Sequence, residues 1–248
     1  MSEHDRAVAQ AFDGQAAHFE RAPVQTNPAT LARLTAFAAL PAQAHMLDAG
    51  CGPGLVSAAF LAVGCRVHGV DLSVEMIARA KQRCAAFGDA AQFNQQSVFD
   101  PLPGDFDAAV SRLVLHHTVD PLAFIRRQVE VLKPGGVLVL SDHTTDPDPE
   151  RAAWHQEIER GRDRTHTQNL PPGRIADLLA LAGLRDVRLE EHAFALDFDE
   201  WFDRGTPSLP KEEVRGKLLA GGARGFQPAA NGAAIRIDCW LAMVRGVK

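Results

Sequence analysis

Apolar residues recur along this chain at two spacings, and the way the spacings alternate predicts its elements. Residues 5–21, DRAVAQAFDGQAAHFER, set apolar side chains at helical intervals. Asn27 caps a second helical stretch, with Pro28 in its first turn, that runs through LARLTAFAAL to Leu40. Met46, Leu47 and Ala49 form a short apolar run that stops at three glycines, Gly50, Gly52 and Gly54; Val56 to Val63 is helical again. Residues 65–71 alternate as a strand ending in an acid, and Ser73 caps the helix of VDLSVEMIARAK. A third strand and its turn are expected over 91–99 and a fourth at Ala108, Ala109 and Val110. The fifth, Val137 to Leu140, is continuously apolar, as a strand buried on both faces should be.

The second half is less regular. Lys133, Pro134, Gly135 and Gly136 read as the end of a helix, with Gly135 as a left-handed cap. A polar, proline-broken loop follows Ser141, Asp142 and His143, and 151–164 is expected to be a helix carrying Trp154 and Ile158. Another helix starts at Asn169 to Pro172 and stops near Gly183. Val187 and Leu189 begin a sixth strand, Phe194 to Pro228 shows no clear period, and Ile235, Ile237, Cys239 and Leu241 alternate into the last strand. The expected architecture is a single α/β domain over 1–248. Residues 1–42 would be lid helices, and 144–168 and 197–230 cap insertions.

Composition narrows the class without changing this plan. The 248 residues carry a net charge of −5 and no run of like charge, so a non-specific nucleic-acid footprint is not expected. No apolar stretch approaches the ~18 residues of a membrane span, and MSEHDRAVAQ lacks the apolar core of a secretory signal. Cys51, Cys65, Cys84 and Cys239 include no C-x-x-C pair, which leaves zinc and thioredoxin-like readings without support and makes the cytoplasm the expected compartment. The absence of tyrosine removes one common acid/base group.

Candidate chemistry gathers at AHMLDAGCGPG, residues 44–54. Strand, glycine turn and helix N-terminus together make a ligand site, because glycines let a ligand lie against the backbone and the helix offers free N–H groups. The spacing is G-x-G-x-G rather than the dinucleotide G-x-G-x-x-G, and Pro53 removes a donor that a pyrophosphate would use. Asp48 stands two residues before the first glycine. Asp71, about 20 residues after it, can reach the hydroxyls of a ribose or can simply end its strand.

LDAGCGPG closely resembles motif I of the class I S-adenosylmethionine (SAM) methyltransferases, and VDLSVEMIARAK resembles their acidic motif. SRLVLHHTVDPLAFIRRQVEVLKPGG is similar to their fourth-to-fifth-strand region, and FDGQAAHFERAP to the lead-in of the ubiquinone/menaquinone-biosynthesis type, the methyltransferase type 11 domain. The likeness covers roughly 10–143. It implies a Rossmann-like seven-stranded sheet, order 3-2-1-4-5-7-6 with an antiparallel last strand, and SAM bound by Asp48, Gly50, Gly52, Gly54 and Asp71. Leu72 and Met76 would flank the adenine, and Ser97 and Val98 would meet its amine. Arg112 falls at the correct strand end, and Phe19 takes the place of the family's usual tyrosine. Asp107, at the start of the fourth strand, reads as structural.

A methyl acceptor that arrives protonated needs a base. His116, His117 and His143 lie near the crevice; His117 is the first candidate and His143 the second, each being otherwise a plain loop histidine. No metal is expected, since Asp142, His143, Asp146 and Asp148 sit in a proline-broken loop without ligand spacing. The reading is methyl transfer to O, N or C of a small molecule, quinone-like or phenolic, by a monomer or homodimer. A non-catalytic SAM-binding regulator and a nicotinamide dehydrogenase are the alternatives.

Overall fold

The computed structural model describes residues 1–232 and 234–248. Helices α1 (Glu3–Phe19), α2 (Pro23–Thr26) and α3 (Pro28–Ala38) precede strand β1 (His45–Ala49). Strands and helices then alternate: α4 (Leu55–Ala62), β2 (Arg66–Asp71), α5 (Val74–Cys84), β3 (Ala91–Gln95), β4 (Phe106–Arg112), α6 (Pro121–Glu130) and β5 (Leu132–His143). The second half holds α7 (Pro149–Arg162), α8 (Pro172–Leu181), β6 (Arg185–Asp197), α9 (Phe198–Asp203), α10 (Lys211–Leu219), β7 (Phe226–Asn231) and β8 (Ala234–Val247).

The two expected cap residues, Asn27 and Ser73, act as caps, and Asp120 is a third. The Asn27 side-chain oxygen accepts from Ala29 N at 2.9 Å, Ser73 Oγ from Met76 N at 3.1 Å, and Asp120 Oδ1 from Ala123 N at 2.9 Å. Each satisfies an N–H that a helix start otherwise leaves without a partner.

The sheet runs β3-β2-β1-β4-β5-β8-β6. Neighbours are parallel from β3 to β5, and β8 is antiparallel to both β5 and β6. With β8 as the seventh strand, this is the order the sequence implied. One strand was not foreseen: β7 pairs with the start of β8 and begins inside the stretch expected to be irregular. Pro228 and the exposed QPAAN pattern hide it, and proline is tolerated because β7 lies at an edge. KPGG also differs from expectation. Helix α6 has already ended at Glu130, and these residues open β5, where Gly135 N donates to Lys248 O and Lys248 N to Gly136 O, both at 2.9 Å.

Period-2 alternation sorts the strand side chains onto two faces. Met46, Val67, Ala108 and Val139 pack with Phe60 and Ile77 under α3 to α5. Leu47, Val70, Ala109, Leu138 and Leu140 pack with Phe124, Ile125 and Leu179 under α6 and α8. Each such side chain, fully buried, contributes about 1.5–3 kcal/mol. A third cluster, including Ile158, Phe198, Trp201, Val214, Leu218 and Phe226, joins α7, α9 and α10 to the extended ends of β6 and β8. Asp107 anchors the β4 start, accepting from His45 N at 2.9 Å and from Lys133 Nζ at 2.7 Å. Among the described residues, no helix is long and apolar enough to cross a membrane.

Candidate functional site

The carboxyl ends of β1, β2 and β4 open on a cavity of about 450 Å3, within the range of small-molecule and cofactor sites. The glycine turn forms one wall. Gly50 N and Cys51 N both donate to Val70 O at 2.9 Å, which ties the turn to β2. Gly52 N donates to Asp71 Oδ2 at 2.8 Å, and Ser73 N to Asp71 Oδ1 at 2.9 Å. The carboxylate is therefore fixed on both oxygens by backbone, while each oxygen keeps a further lone pair. Burial raises the Asp71 pKa, against the pull of the Ser73 and Gly52 N–H groups.

Two glycines of the turn do different things. Gly52 has φ +51°, lines the cavity, and a Cβ built on it would meet no atom within 4 Å, so the backbone here presents a bare face. Gly54 has φ +81°, and its Cβ would lie 2.9 Å from Ala80 Cα, so its bareness lets α4 close on α5. A carboxylate able to take a diol beside a bare backbone face is what SAM's ribose and amino-acid portion require, and the residues present fit the cofactor.

Phe19, Gly50, Gly52, Asp71, Leu72, Met76, Ser97, Val98, Arg112 and His117 all line this cavity. Asp48, Gly54 and His143 do not. Asp48 is buried beneath the turn, where it accepts from Ser57 Oγ at 2.6 Å, and burial pushes its pKa up to about 7. Arg112 is pulled down to about 10 by burial. It donates through Nη2 to Val24 O at 2.6 Å and through Nη1 to the Gln25 carbonyl and side-chain oxygens at 3.3 and 3.1 Å, so it clamps the N-terminal segment to β4.

Sequence reasoning named Phe19 in the helices ahead of the first strand but missed the other residues of this segment that reach the site. Ser2, His4, Asp5, Val8 and Phe12 of the α1 region line the cavity. His4 Nε2 lies 2.7 Å from His117 O, and Asp13 Oδ1 accepts from Ser73 Oγ at 2.5 Å and Glu75 N at 3.2 Å. Glu20 pairs with Arg79, and with Arg83 at 3.0 Å. The amphipathic period of α1 was the signal available.

A second pocket of about 30 Å3 adjoins the first across Phe19, Gln25, Leu113 and His117. His116, His143, Glu159, Arg162 and Arg204 close it. Here the two candidate bases differ from a third histidine. His117 Nδ1 lies 3.1 Å from Thr165 O, and burial and the neighbouring His116 lower its pKa to about 4. His143 is lowered to about 3, first by burial and then by His116. His116 Nδ1 lies 2.6 Å from Asp142 Oδ1; burial opposes its protonation, but the carboxylate prevails and its pKa is raised. Glu159 and Arg162 come from α7 and Arg204 from the end of α9, far apart in sequence, and nothing local marks them as neighbours. Among the described residues, no group of three or more His, Cys, Asp or Glu is arranged to hold a metal ion.

Comparisons with known proteins bear on the family and the fold. Residues 21–189, more than half of the chain, match the model of the methyltransferase domain. The chain is 40% identical over 124 residues to a ubiquinone biosynthesis O-methyltransferase of Xanthomonas campestris pv. campestris strain B100, covering 49% of this chain and 52% of that protein. It thus spans about half the length of the curated relatives it matches. Among solved structures, the YcgJ protein of Bacillus subtilis is similar with a TM-score of 0.79 at 23% identity, over 89% of this chain and 98% of that one. The Haemonchus contortus phosphoethanolamine N-methyltransferase 2, solved with S-adenosyl-L-methionine, is similar with a TM-score of 0.62 at 21% identity, over 89% of this chain and 52% of that one. Both structural likenesses concern the fold. With the family model matched across the glycine turn, Asp71 and the fifth strand, the chain belongs to the methyltransferase domain family, among the class I SAM-dependent methyltransferases.

Proposed function

We propose that this protein transfers a methyl group from SAM to a small-molecule acceptor, quinone-like or phenolic. The observation that carries the reading is the Asp71 carboxylate, held by Gly52 N and Ser73 N at the wall of a cavity whose glycine face is bare. In this reading Asp71 takes the ribose hydroxyls, Leu72 and Met76 hold the adenine, and Ser97 and Val98 meet its edge. Gly50 and Gly52 let the amino-acid portion lie against the turn, while Arg112 and Phe19 shape the end nearest the second pocket. When bound, SAM supplies a methyl already activated on a sulfonium. The chain's part is then to align the acceptor and exclude water.

The acceptor enters where the two pockets adjoin, with His117 and His143 lining its path in their neutral forms. The helices of 1–42 and the segments 144–168 and 197–230 select it. The 40% identity over 124 residues to a ubiquinone biosynthesis O-methyltransferase supports oxygen as the receiving atom, with nitrogen and carbon as the alternatives. Four buried, unpaired cysteines support work in the cytoplasm, and the net charge of −5 supports a partner other than nucleic acid.

Titration calorimetry with SAM and, separately, NAD tests the cofactor. Saturable SAM binding with no NAD binding is expected; NAD binding without SAM binding would overturn the reading in favour of a dehydrogenase.

A further inference from the structure

The second pocket is polar, enclosed, and only partly explained by the fold. Asp142 sits at the carboxyl end of β5 and engages His116 twice: Oδ1 lies 2.6 Å from the ring Nδ1, and Oδ2 accepts from the His116 backbone N at 3.3 Å. The carboxylate is almost wholly buried, with 3% of its side chain exposed. In the neutral ring Nδ1 therefore carries the proton, which leaves the Nε2 lone pair as the free end. Asp142 and His116 thus repeat the orienting half of a nucleophile–base–acid arrangement, in which the acid fixes the tautomer and stabilises the imidazolium.

The other groups around this ring each have a partner of their own. His117 Nδ1 meets the Thr165 carbonyl, and His166 Nε2 lies 2.7 Å from Gln156 Oε1. Asp163 accepts from Thr165 and Thr206 and pairs with Arg162 at 3.2 Å. Glu159 lies 3.5 Å from His155 Nε2. Among the described residues, two polar atoms lining this pocket are left over: His143 Nε2 and Arg204 Nε are buried with no hydrogen-bond partner. Arg204 Nε stands 3.2 Å from Glu200 Oε1 but off the line a hydrogen bond needs, and only 6% of its side chain is exposed. A neutral histidine edge and a guanidinium N–H without an aligned acceptor, in a pocket the size of a single small group, invite an oxygen that becomes anionic.

We propose that this pocket receives the acceptor's hydroxyl, that His116 is the general base that removes its proton, with Asp142 positioning it, and that the Arg204 guanidinium faces the oxygen as it gains charge. The acceptor class is an ionisable hydroxyl, a phenol or enol, rather than an amine or a carbon acid. This rests on the methyltransferase reading. The balance is complete: the O–H proton passes to His116 Nε2 and on to solvent, an oxygen lone pair forms the O–CH3 bond, and the S–CH3 pair stays on sulfur, turning sulfonium into thioether. The charge relations agree, because the base has its pKa raised by a carboxylate while His117 and His143 are held too low to be effective bases at neutral pH.

The probe is 4-nitrophenol, whose phenolate absorbs visible light and whose phenol does not, titrated with pH in the presence of the full chain and S-adenosylhomocysteine. The ionisation midpoint should fall by about one pH unit, a tenfold change in ionisation constant. His116→Gln should abolish the shift, and Arg204→Met should reduce it, with S-adenosylhomocysteine affinity unchanged by calorimetry. Should His116→Gln fail to fold, Asp142→Asn, which leaves the imidazole in place, must still move the midpoint back towards that of free 4-nitrophenol. A wild-type midpoint equal to that of free 4-nitrophenol, or a shift that survives both His116→Gln and Asp142→Asn, overturns the proposal. Failure of the unsubstituted protein to bind S-adenosylhomocysteine would refute the underlying methyltransferase reading instead.

Discussion

Gly52 and Gly54 stand two residues apart in one turn, yet substitution by alanine should damage two different properties. Both have positive φ, +51° and +81°, so a Cβ at either costs about 1–2 kcal/mol of backbone strain. At Gly54 the new methyl would also meet Ala80 Cα at 2.9 Å and Ala80 Cβ at 3.1 Å. Helix backbone cannot move aside as a side-chain tip can, and overpacking of this kind costs about 1–3 kcal/mol more. Gly54→Ala should therefore lose roughly 2–5 kcal/mol of stability. At Gly52 the methyl meets nothing within 4 Å and projects into the cavity. Gly52→Ala should lose only the strain, about 1–2 kcal/mol, but weaken SAM binding at least about tenfold, or about 1.4 kcal/mol. Urea unfolding and titration calorimetry on both variants check this. Equal stability losses, or unchanged SAM affinity in Gly52→Ala, would refute the division of labour within the turn.

Three further outcomes are expected. Asp71→Ala should weaken SAM binding by about 1.5–3 kcal/mol, the worth of hydrogen bonds to a charged group, and unchanged affinity by calorimetry would remove Asp71 from the site. Asp48→Asn should leave SAM affinity within about threefold, since Asp48 lies beneath the turn and meets Ser57 rather than the cavity; a larger loss would return it to the binding residues. Folding stability should fall as pH drops below about 6.5, the ordinary histidine value. The buried His117, His143 and His166, lowered to about 4, 3 and 3, stay neutral in the fold and take up protons when unfolded. Asp48, raised to about 7, works in the opposite sense over the same window and offsets about one proton. Two net protons give roughly 2–3 kcal/mol per pH unit near pH 5.5, and urea unfolding at pH 7.5 and 5.5 giving equal stability would contradict the sign.

Legibility in the sequence followed the range of the interactions. The β1 turn was readable because strand, glycines and helix start are contiguous and each carries a local signal. The sheet order was readable only through the family resemblance, since nothing local at β8 says that it inserts between β5 and β6. Asp48 shows the limit of a motif: its place in the pattern is real, but the pattern does not say whether the side chain faces a ligand or the helix behind it. Nothing in the sequence separates the adjacent His116 and His117, and only the fold shows that Asp142, 26 residues on from His116, lies 2.6 Å from the His116 ring. Strand β7 was hidden because an exposed edge strand with a proline carries little hydrophobic alternation.

The central claim is methyl transfer from SAM, and the most direct measurement is mass spectrometry of a panel of phenolic and amine metabolites incubated with the purified protein and SAM. At least one phenol should gain the mass of a single methyl group while S-adenosylhomocysteine accumulates in equal amount. A protein that binds SAM and methylates no member of the panel, with no S-adenosylhomocysteine formed, would contradict it.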